Sequence, residues 1–97
     1  MKFDSNCKAI IESMNMDELQ GYIGFLEVEI WRHKKALSDN LAMCRGFRKS
    51  DFDSTDLHNA LIKLNQTAIY RHRQDIKSTR ECILRAEDRM EMLEFLA

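Results

Sequence analysis

A chain of 97 residues has room for one hydrophobic core, or for half of an assembly. Its 15 basic and 16 acidic residues give a net charge of -1, which excludes a wholly basic nucleic-acid coat and a strongly acidic DNA mimic. With 44% hydrophobic residues, no proline and three glycines, the composition is too apolar for disorder and too poor in turn formers for an all-β fold.

The chain opens Met1-Lys2-Phe3-Asp4-Ser5-Asn6, without the apolar run of a secretory signal. Cys7, Ile10, Ile11 and Met14 follow the i, i+3, i+4, i+7 spacing of one helix face. They predict a short helix over 4–14. Asn15-Met16-Asp17-Glu18 is a capping-box pattern that starts a second helix over 16–45, with Met14 and Leu19 as its hydrophobic staple. Gly46 reads as a left-handed stop, with Phe47 folding back on the last turn. Residues 46–53 form the one convincing loop. Asp53 is the expected cap of a third helix over 54–95, with Phe52 and Leu57 as staple and Asp56 favourable in the first turn. That helix would be about 63 Å long and the second about 45 Å.

The densest apolar stretch, Tyr22 to Leu26, is broken by Gly24, and nothing approaches the roughly 20 apolar residues of a bilayer span. No membrane association is expected. Cys7, Cys44 and Cys82 are odd in number and lack a Cys-x-x-Cys. They read as small buried hydrophobes in a reducing cytoplasm, not as a disulfide framework or zinc site.

The two long segments carry heptad seams. In the third helix Ile62, Ile69, Ile76, Ile83 and Met90 form one row, with Asn65, His72, Thr79, Ala86 and Leu93 beside it. In the second, Ile23, Ile30, Leu37 and Cys44 run beside Leu19, Leu26, His33 and Asn40. Two such helices joined by a short loop predict an all-α fold: a long antiparallel hairpin with a short N-terminal helix, assembling into a bundle, in a single helical domain over 1–97. A symmetric loop sets facing residue numbers to sum to about 99. His33 then faces Asn65, Ile30 faces Ile69 and Leu26 faces His72. The first helix is expected to cover Ile83, Ala86, Met90 and Leu93.

The hairpin has two unlike flanks. One carries Tyr22, Phe25, Ala36 and Met43 with Leu61, Leu64, Ala68 and Cys82. A lone hairpin cannot bury this second apolar stripe, which marks a protein-binding face for self-association. The first helix can cover only one end of it. The other flank carries Trp31, Lys34, Lys63, Gln66, Tyr70, Arg73, Lys77 and Arg80. Residues 32–49 hold six basic and one acidic side chain, and residues 63–80 hold five and one, so positive charge gathers mid-rod. Trp31, Lys34, Lys63, Tyr70, Arg73, Lys77 and Arg80 are the candidate site for an anionic ligand, with guanidinium groups on phosphate and the aromatics stacking on a base. A solvated helix face is the plainer reading.

No Gly-rich phosphate loop, nucleophile–base spacing or paired carboxylates stand out. In the expected register the layers of His33 and His72 lie roughly 9 Å apart, too far to share a zinc ion. The methionines read as packing residues. No cofactor, metal site or catalytic residue is expected. The function expected is that of a non-catalytic helical regulator, inhibitor or adaptor that binds another protein, as a homo-oligomer, of the kind frequent among phage and mobile-element accessory proteins. The competing class is a binder of a nucleotide, cyclic nucleotide or nucleic acid on the basic flank.

Overall fold

The computed structural model describes residues 3–46 and 54–97. They form three helices: α1 (Phe3–Ser13), α2 (Met16–Gly46) and α3 (Thr55–Leu96). There is no strand among the described residues. The molecule is a rod of 65 × 20 × 14 Å. Its spine is the α2–α3 pair, and α1 folds onto α3. The pair is antiparallel, since Tyr22 reaches Cys82 while the later His33 reaches the earlier His72.

Local chemistry explains the element boundaries. The carbonyl of Ile11 accepts from the Met14 N–H at 3.3 Å, closing the end of α1. Asn15 Oδ1 then accepts from the Glu18 N–H at 2.9 Å, and Glu18 Oε1 accepts from the Asn15 N–H at 3.1 Å. This reciprocal capping box satisfies two donors that the first turn of α2 would otherwise leave open. The start of α3 differs from the expectation. Ser54 is the cap, with extended backbone and a side chain that accepts from the Leu57 N–H at 3.1 Å. A Ser one position nearer the helix does the work expected of Asp53. Gly46 also departs from the expectation: it is the last residue of α2 and its φ is not positive. Asp53, Phe52 and Phe47, with their expected capping and staple roles, lie outside the described residues.

The register is one heptad away from the expected one. His33 Nδ1 lies 3.1 Å from His72 Nδ1, so facing numbers sum to about 105 and His33 does not face Asn65. A seven-residue slide leaves every heptad position on its own row, so the apolar pattern fits both registers equally. Polar matching separates them. The expected register sets His72 against Leu26. In the structural one Leu26 and Thr79 share a groove, Leu19 and Ala86 share the core, and His33 meets His72. The two imidazoles thus meet each other and not a leucine, and the Thr79 hydroxyl beside Leu26 donates to the Asp75 carbonyl at 2.7 Å, so no ring nitrogen or hydroxyl is desolvated without a partner.

The core gathers at the α1 end of the rod. Cys7, Ile11, Leu19, Leu26, Cys82 and Ala86 form its buried centre, and Met14, Tyr22, Ile23, Ile83, Met90 and Leu93 pack around it. α1 side chains thus share this core with Ile83, Ala86, Met90 and Leu93 of α3. Cys7 and Cys82 form a disulfide across this contact, with Cα atoms 6.4 Å apart and a sequence separation of 75. That corrects the reading of the cysteines as three buried thiols. Spacing along the chain carried no sign of the pair, because only the docking of α1 brings the two sulfurs together. Cys44 is free and half-buried.

Candidate functional site

The apolar flank divides at Tyr22. This side chain, expected on a partner-binding face, is half-buried against α1. Its hydroxyl lies 3.5 Å from Cys82 Sγ and 4.0 Å from Cys7 Sγ. A disulfide sulfur carries no proton, so the hydroxyl donates. Burial pushes the Tyr22 phenol above its ordinary value, because the phenolate loses water there. Beyond Tyr22 the flank is open. Phe25 is 58% exposed, Met43 51% and Leu64 66%. Ala36, Leu61 and Ala68 are half-buried between them. Leu57 adds another exposed apolar side chain at the loop end, one absent from the expected set.

The basic flank is partly assembled into a groove. Lys34, Arg73, Lys77 and Arg80 line a depression of about 420 Å³ together with Leu37, Ile76, Leu84 and Glu81. Four of the five expected cations therefore converge. Lys63, Trp31 and Tyr70 are exposed elsewhere on the rod and are not among the residues lining this groove. The expected register set Trp31 and Tyr70 near one layer. In the structural register they are offset by about four residues, or roughly 6 Å. Lys35 Nζ sits 5.6 Å from the centroid of the Trp31 ring, so the chain's own cation covers one face of that ring.

The third feature lies in the seam itself. His33 and His72, placed about 9 Å apart by the expected register, meet with their Nδ1 atoms 3.1 Å apart. Asp75 Oδ2 stands 3.9 Å from His33 Nδ1. The sequence signal was present in the two seam histidines at matching heptad positions. The heptad slide hid it. A groove of about 290 Å³ opens beside the cluster, lined by Tyr22, Phe25, Leu26, Glu29, His33, Asp75 and Thr79. It faces the apolar flank next to the α1 contact.

No family model matches the chain, and no curated protein or solved structure matches it either. No helix among the described residues is long and apolar enough to cross a membrane.

Proposed function

We propose that the protein is a non-catalytic interaction module that assembles with copies of itself and acts as a regulator, inhibitor or adaptor on another protein. The observation that supports this is the uncovered half of the apolar flank. α1 buries the flank at one end, while Phe25, Met43 and Leu64 stay more than half exposed along the rest. An apolar stripe of this kind on a soluble rod is an interface in waiting. A stable interface needs about 800 Å² per partner, and a flank 65 Å long and 20 Å wide has room for it. Sedimentation of the full chain at micromolar concentration should show a dimer or larger species. Phe25→Asp and Leu64→Asp should shift it toward monomer, since a charge cannot be buried there unpaired. A monomer at all concentrations overturns the reading.

A second reading has its own support in the groove of Lys34, Arg73, Lys77 and Arg80. Four cations lining a groove with apolar side chains suit a nucleotide, cyclic nucleotide or short nucleic acid. Titration of these at two salt concentrations tests it. Binding that weakens with salt and is lost in Arg73→Glu supports it, and silence at low salt removes it. A cytoplasmic location also remains a proposal, and the Cys7–Cys82 disulfide removes the cysteine argument for it. Alkylation of free thiols in intact source cells reads the compartment directly.

A further inference from the structure

One layer of the seam does not pack like its neighbours. The apolar layers toward the α1 end close on Leu19 and Ala86, both fully buried. The next layers give way to two imidazoles whose rings are tilted by 50° with centroids 5.3 Å apart. The rings are not stacked. Their Nδ1 atoms converge at 3.1 Å. Asp75, three residues after His72 on the same face of α3, brings a carboxylate to the same point. One nitrogen or oxygen from each of the three side chains lies within 4.8 Å of the others. His33 and His72 are half-buried, and the Asp75 side chain is 45% exposed.

This geometry matches what a metal ion asks of its ligands. Zinc sits about 2.0–2.1 Å from an imidazole nitrogen. Two nitrogens 3.1 Å apart would then subtend about 98° at a shared ion, between the octahedral and tetrahedral angles. Two bonds of about 2.1 Å span at most about 4.2 Å, so the 3.9 Å from His33 to the Asp75 carboxylate already lies within reach. Rotation of that exposed carboxylate closes the remaining gap to His72. Two neutral nitrogens and one carboxylate suit zinc and its first-row neighbours, whereas calcium and magnesium favour oxygen alone. An i, i+3 pair of one histidine and one carboxylate, completed by a ligand from a facing helix, is also how helical bundles hold metal in their cores.

We propose that His33, His72 and Asp75 form a site for one zinc-type divalent transition-metal ion, held between α2 and α3. Three protein ligands leave a fourth position open, and the 290 Å³ groove beside them gives it room for water or a further ligand. The Glu29 carboxylate lines that groove but is held by Arg32 at 3.3 Å. The Thr79 hydroxyl donates to the Asp75 carbonyl at 2.7 Å, fixing the turn that carries the carboxylate. An ion here would lock the register, because a slide by one heptad separates its ligands. The site does not depend on self-association.

The test uses the full chain with its disulfide intact, stripped with a chelator. Cobalt(II) is added as a coloured probe and zinc follows by calorimetry. The expected result is one ion per chain, visible cobalt bands that zinc abolishes, and a higher unfolding midpoint with metal. His33→Ala with His72→Ala should abolish the bands, Asp75→Asn should weaken binding, and His58→Ala should leave it intact. Helix content by circular dichroism shows whether each variant is folded. Should the double variant unfold, carbethoxylation of the unmodified chain decides: zinc should protect His33 and His72 from the reagent. No stoichiometric binding at micromolar metal overturns the site, as does binding that survives in a folded double variant. Unchanged affinity in Asp75→Asn overturns the three-ligand assignment. After either of the first two results, the layer is a hydrogen-bonded pair in which one ring N–H donates to the other ring.

Discussion

At the α1 end of the rod Leu19 and Ala86 show no surface at all, and Cys82 only 2%. At the loop end Leu37, Leu41, Leu61 and Ile62 are half-buried, and Met43, Leu57 and Leu64 are about half exposed or more. The two ends are built from the same pair of helices with the same heptad rows. What differs is α1. Two helices bury one seam between them, and everything to the side of that seam stays in contact with water. α1 supplies the missing side at one end and turns a seam into a core. Beyond α1 no described helix takes that side, and this is where, on the proposed reading, a second copy would do for Phe25, Met43 and Leu64 what α1 does for Tyr22.

The comparison is broken most sharply by releasing α1. The Cys7–Cys82 disulfide closes a loop of 75 residues, for which the chain-entropy account gives about 4 kcal/mol of stabilisation. Urea unfolding with and without reductant should show a loss of that order, matched by Cys7→Ser with Cys82→Ser. A midpoint indifferent to reductant would mean that packing alone holds α1 in place.

A matched pair of leucines sharpens the contrast next. Leu26 is 2% exposed in the core at the α1 end, so Leu26→Ala should cost about 2–5 kcal/mol. Leu37 is half-buried, and truncating it should cost about 1 kcal/mol in the monomer. Equal losses in dilute protein would show that the two ends are equally well packed. A Leu37→Ala loss that grows with protein concentration would show that assembly buries the loop end.

Much of this contrast could be read from the sequence. Helix number, the Asn15–Glu18 capping box, the two heptad rows and the uncovered flank all follow from local spacing. Three things did not. Spacing within each helix says nothing about a slide by a whole heptad, so it fits His33 opposite Asn65 as well as His33 opposite His72 and does not reveal the His33–His72–Asp75 cluster. The Cys7–Cys82 pair depends on how α1 docks, a contact between residues 75 apart. The cap of α3 is Ser54, one residue after the expected Asp53. The register and the disulfide concern how elements meet, which local spacing does not encode; the cap is a one-residue error at a helix boundary.

The hinge between α1 and α2 should respond on a smaller scale. Asn15→Ala removes a cap that accepts from the Glu18 N–H at 2.9 Å and should cost about 1 kcal/mol. Its effect belongs to the α1 end, so limited proteolysis between α1 and α2 should speed up while cleavage within α3 stays unchanged. Uniform acceleration along the chain would place the cap's influence on the whole rod.

The smallest expected effect comes from Tyr22, where the two ends of the apolar flank meet. Burial raises the pKa of this phenol from its ordinary 10.0. A raised pKa means that the folded chain holds the proton more tightly than the unfolded chain does. The resulting stabilisation is full below the ordinary pKa and is lost as pH rises through the higher folded value. Tyr22→Phe deletes the phenol and so deletes that pH dependence. Near pH 8 the variant should be slightly the less stable of the two, having lost the hydroxyl contact to Cys82 Sγ at 3.5 Å. Above the raised pKa the difference should shrink or reverse, because only the unmodified chain must then bury or expel a phenolate beside α1. Denaturant unfolding of both proteins at pH 8 and pH 11 reads this directly. A stability difference that stays constant across that range would mean that the Tyr22 hydroxyl is as wet in the folded rod as in the unfolded chain, and that α1 does not close over the flank at this point.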